Sequence, residues 1–73
     1  MSYAIPQCLP HLSNADAEKL CRLLELRFAN EIGDANRWLG SELYDFRCKP
    51  VDLLKRDEIG VLRVISYLEH EVG

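Results

Sequence analysis

Two stretches with helical periodicity, no sustained polar–apolar alternation, and 48% hydrophobic residues in a chain of 73 predict an all-α protein. The expected architecture is a compact bundle of about four helices with an extended N-terminal arm. The arm covers residues 1–12, and a single helical domain covers 13–73. A chain this short buries only about 60% of the surface its unfolded form exposes. Its stability margin is therefore thin, and a partner or second copy is an expected source of further burial.

The arm carries Pro6 and Pro10, with Ile5 and Leu9 near them. Proline has no amide hydrogen and biases the preceding residue toward extended backbone, so a helix is not expected here. Tyr3, Ile5, Leu9 and Leu12 give the arm apolar side chains to pack, by preference on its own domain. The alternative is a strap across a second subunit.

Ser13 has the chemistry of a helix N-cap, with Asp16 three residues on in a variant of the capping box. Ala17, Leu20, Cys21, Leu24, Phe28 and Ile32 then follow the i, i+3, i+4, i+7 pattern, and Leu23 and Leu26 widen the stripe. Gly33 is placed to end this helix in a left-handed turn. Asp34 is expected to cap a short second helix that holds Trp38 and Leu39 and stops at Gly40. A tryptophan in a domain this small belongs in the core, with an interface anchor as the alternative. Residues 41–49 show no periodicity and read as an ordered loop with about one helical turn.

Pro50 suits the first position of a third helix, where its missing donor would be unpaired anyway. Val51, Leu53 and Leu54 form its apolar side. Asp57 can cap the last helix, and Glu58 lies near the positive end of that helix's dipole. Val61, Val64, Ile65, Leu68 and Val72 keep the helical period, flanked by Ile59 and Leu62. Gly60 falls in the first turn, where a glycine costs little helix propensity.

The formal charge is −3 with a pI near 5.2, and basic residues are interspersed with acidic ones. A nucleic-acid surface would gather Arg47, Lys49, Arg56 and Arg63, but the acidic balance argues against DNA or RNA as partner. Cys8, Cys21 and Cys48 are odd in number and widely spaced, so reduced thiols are expected rather than disulfides or a zinc site. No segment reads as a signal peptide or a membrane span, and the cytoplasm is the expected compartment. His11 and His70 sit in no metal-ligand spacing, and the four glycines form no phosphate-cradling loop. His70 suits the negative end of the last helix's dipole. Neither a cofactor, a metal nor enzymatic activity is expected.

From Ala35 to the end, Ala35, Trp38-Leu39, Pro50, Leu53-Leu54, Ile59, Leu62, Leu68 and Glu69 form a pattern that resembles the toxin-binding domain of MbcA/ParS/Xre-type antitoxins. The preceding helix, ending FANEIGD, is similar to the one leading into that motif. Two departures stand out. Arg47 and Cys48 replace a Gly-Gly-like turn before the proline, and His70 and Glu71 replace a terminal Tyr-Gly.

The resemblance implies a module that grips a protein partner, commonly a RES-type toxin enzyme that attacks NAD, and occludes its active site with the last helix and tail. Arg63, Tyr67, His70, Glu71, Val72 and Gly73 are the contacts it implies. Such antitoxins usually carry an upstream helix-turn-helix domain, for which 73 residues leave no room. A small phage-type inhibitor or adaptor acting on an unrelated host protein is the alternative. A homodimer is compatible with either.

Overall fold

A computed structural model describes residues 3–6 and 9–72. Four helices follow in order: α1 (Asn14–Phe28), α2 (Ile32–Leu39), α3 (Pro50–Arg56) and α4 (Glu58–Val72). α4 is the central element, packed mainly on α3 and α1, while α2 bridges α1 and α3. The radius of gyration is 11.0 Å, against about 11 Å expected of a compact chain of this length. The described part of the arm therefore lies against the bundle. No helix among the described residues is long and apolar enough to cross a membrane.

The local start signals act as their chemistry predicts. Ser13 is the N-cap of α1, its Oγ accepting from the Asp16 amide at 3.1 Å. Pro50 opens α3. The Asp57 carboxylate accepts from the Gly60 amide at 2.7 Å, capping the first turn of α4. Gly40 closes α2.

The end of α1 differs from expectation. The helix stops at Phe28, and Ala29 and Asn30 both take left-handed conformations, with φ of 51° and 67°. The Asn30 amide reaches back to the Glu25 carbonyl at 3.1 Å, satisfying an orphan carbonyl of the last turn. Asparagine tolerates this region far better than most residues. Gly33 is therefore no cap but the second residue of α2, and Asp34 lies inside that helix's first turn rather than ahead of it. The reversal has to come early because Ala35 and Leu39 must fold back into the core.

The core is Leu20, Leu23 and Leu24 of α1; Ala35 and Leu39 of α2; Leu53 and Leu54 of α3; and Val61, Val64, Ile65 and Leu68 of α4. Ile5 and Leu12 of the arm and Phe46 of the loop complete it. Leu26, expected to widen the α1 stripe, points into solvent instead. The arm is tied down by polar contacts as well. The Ala4 amide donates to Asn36 Oδ1 and His11 Nε2 donates to the Leu54 carbonyl, each at 2.7 Å. A carbonyl can only accept, so Nε2 of His11 is the donor in this contact. Cys21 and Cys48 are free thiols, and Cys8 lies outside the described residues.

Candidate functional site

α4 is too apolar for its neighbours to cover. α1 and α3 take the face bearing Val61, Val64, Ile65 and Leu68, but Ile59 and Leu62 remain 69% and 52% exposed. Along that outer face runs a shallow, open groove of about 510 Å³, lined by Phe46, Ile59, Leu62, Arg63, Ser66, Tyr67 and His70. Three of the expected contact residues, Arg63, Tyr67 and His70, meet here because spacings of three and four share one face of a helix. Val72 is exposed at the last turn. Gly73 lies outside the described residues.

The groove has an aromatic floor. Trp38 stacks on Tyr67 with centroids 6.0 Å apart and planes at 23°, and Phe28 packs tilted against Trp38 at 6.0 Å. Phe46 meets Tyr67 edge-on at 5.1 Å. Such pairs add about 0.5–1.5 kcal/mol each beyond area burial, and they restrict the rotamers of the rings that take part. Trp38 is thus the half-buried support of the groove rather than an anchor within it.

Phe46 reaches the groove through a tight turn. The Leu43 amide donates to the Cys48 carbonyl at 3.1 Å, and the Arg47 amide donates to the Leu43 carbonyl at 2.8 Å. Arg47 takes φ = 58°, a left-handed conformation that favours glycine. Phe46 is thereby turned inward and buried, while Tyr44 is left in solvent. Nothing in the spacing of residues 41–49 foretells which of these two rings is inside.

Polar groups surround the apolar strip. The Arg63 guanidinium lies over the Phe46 ring, 5.8 Å from its centroid. Glu71, one turn beyond Tyr67, lies close enough to act on its hydroxyl. Burial raises the Tyr67 pKa above the ordinary value, and Glu71 and the charge of Asp45 push it further. Arg27 pulls weakly the other way.

A tyrosine whose pKa is raised in the folded state holds its proton more tightly there than in the unfolded chain. Its stabilising contribution is complete below the unfolded value, about pH 10, and is lost as pH rises through the folded one. The urea midpoint is therefore expected to fall above about pH 10, and to fall less in Tyr67→Phe. Tyr3 and Cys21, both raised mainly by burial, supply a residual slope in both proteins. An identical pH dependence in the variant would show that Tyr67 is not so placed.

Compared with family models, curated proteins and solved structures, the chain matches none.

Proposed function

We propose that this protein is a binding module of the antitoxin type, which holds a partner protein through the outer face of α4 and blocks that partner's active site with the end of the helix. The observation that carries the reading is the uncovered apolar strip of Ile59 and Leu62, continuous with Phe46, Tyr67, Arg63 and His70. Large apolar side chains left exposed together, rimmed by polar groups, are characteristic of interaction surfaces. Tyrosine and arginine are enriched where binding energy concentrates. The aromatic floor fixes Tyr67 before any partner arrives, which lowers the ordering cost of association.

The resemblance to the MbcA/ParS/Xre-type domain names the kind of partner, a RES-type enzyme that consumes NAD. Arg47 supports that resemblance, because it adopts a glycine-like conformation where such domains have a Gly-Gly-like turn. Coexpression with RES-type toxins is the test. The wild-type chain should restore growth and cellular NAD against at least one of them, and the double variant Tyr67→Ala with His70→Ala should lose most of that protection. A wild-type chain that leaves every such toxin active would overturn the antitoxin reading. Full protection by the double variant would overturn the assignment to α4.

A further inference from the structure

We infer that the α4 groove is built for an acidic amphipathic helix, whose apolar side chains cover Ile59 and Leu62 and whose carboxylates meet Arg56 and Arg63. This rests on α4 being the binding face and specifies the chemistry of what it binds. The chain as a whole is acidic, at −3, yet the groove lining contains Arg63 and His70 and no carboxylate. A smaller concavity continues from it, lined by Leu53, Arg56, Asp57, Ile59, Gly60 and Arg63. Two arginines thus flank the exposed Ile59. The single acid in that lining, Asp57, is occupied in capping Gly60, and Glu58 belongs to neither lining.

Among the described residues, the ion pair found is Lys19 with Glu69, on another part of the surface. Arg56 and Arg63 are in no such pair. Arg63 Cζ lies over the Phe46 ring, and a planar guanidinium fork held there suits two-point binding of a carboxylate. At the other end, Glu71 and Asp45 both lie near enough to act on the Tyr67 hydroxyl. The positive end of the groove is therefore the Ile59 end.

The alternatives fit less well. A second copy set symmetrically on this face would bring its own Arg63 and His70 against the first pair, with no carboxylate in either lining to receive them. A nucleic acid would use the arginines but gain little from Ile59 and Leu62. The groove is too open to enclose a small ligand.

The test is selection of helical peptides from a random library on the full-length chain, followed by affinity measurements. Winners should carry apolar residues at i, i+3 or i+4, and i+7, flanked by Asp or Glu, as in other helix-in-groove complexes. Leu62→Asp and Arg63→Glu should each weaken them about tenfold or more. Added salt should weaken them further. Both positions are exposed, and circular dichroism checks that each variant folds.

No enrichment, basic or uncharged winners, or affinities indifferent to both variants would overturn the inference. So would a dimer in sedimentation equilibrium that Leu62→Asp dissolves. Duplex DNA bound more tightly than the peptides, and lost on Arg63→Glu alone, would overturn it too. Acidic winners with no toxin neutralised would sink the antitoxin reading alone. A neutralised toxin with non-acidic winners would sink this inference alone.

Discussion

Replacing Gly60 with alanine is expected to cost about 3 kcal/mol, at the upper end of what overpacking a core does. A Cβ built on Gly60 overlaps the Leu53 carbonyl oxygen and lies 2.9 Å from the carbonyl carbon. Both atoms are backbone, in a residue only 1% exposed, so no side chain can swing aside. α3 and α4 would have to separate, loosening Leu53, Leu54, Val61 and Val64 together. Alanine's better helix propensity returns only about 1 kcal/mol.

A domain of this length has a total stability of roughly 4–11 kcal/mol, so the loss is a large fraction of it. The melting temperature should fall by about 12–24 °C. Gly33→Ala is the control, since nothing lies within 4 Å of the added carbon. It sits in a helix and should be neutral or stabilising by up to about 1 kcal/mol. Urea titrations followed by circular dichroism measure both. Equal midpoints for Gly60→Ala and wild type would refute the close crossing.

The arm carries the second large effect. Ile5 and Leu12 are 8% and 9% exposed and belong to the same core as the helices. Truncating a buried Ile or Leu to alanine costs 2–5 kcal/mol, with the lower end applying at the edge of a core that can collapse. Ile5→Ala together with Leu12→Ala should therefore remove about 4 kcal/mol and leave the chain close to unfolding at 37 °C. The contacts from Ala4 to Asn36 and from His11 to Leu54 join the arm to α2 and α3 of the same molecule. The wild-type midpoint should accordingly stay constant over a hundredfold range of protein concentration. A midpoint that climbs with concentration would mean the arm is exchanged between subunits.

The first of these effects falls where reading along the chain goes astray, and the glycines show why. Gly33 has the sequence context of a helix stop and Gly60 that of an inexpensive first-turn residue, yet Gly60 is the one that matters. A glycine's local cost depends on its own φ and ψ, whereas its necessity at Gly60 comes from Leu53 of a different helix. The same holds for the site. Arg63, Tyr67 and His70 can be placed on one face from their spacing alone. Phe46 cannot, because it enters through a turn whose geometry rests on Arg47 taking a left-handed conformation. Ile59 and Leu62 flank the last helix's apolar stripe in the sequence, but periodicity does not say which flank the neighbours leave bare.

The all-helical class, the Ser13 and Asp57 caps, the start at Pro50 and the buried stripe of α4 were determined by the sequence itself. The caps and the Pro50 start depend on groups within about one helical turn, and the class and the stripe on residue spacing along single helices, so a continuous stretch of chain carries each signal. The early reversal at Ala29 and Asn30, the close approach of α3 to Gly60, the inward Phe46 and the uncovered strip of α4 were decided only by the tertiary structure. Those outcomes depend on where segments distant in the chain come to rest, and on a core too small to cover every apolar side chain that the helices present.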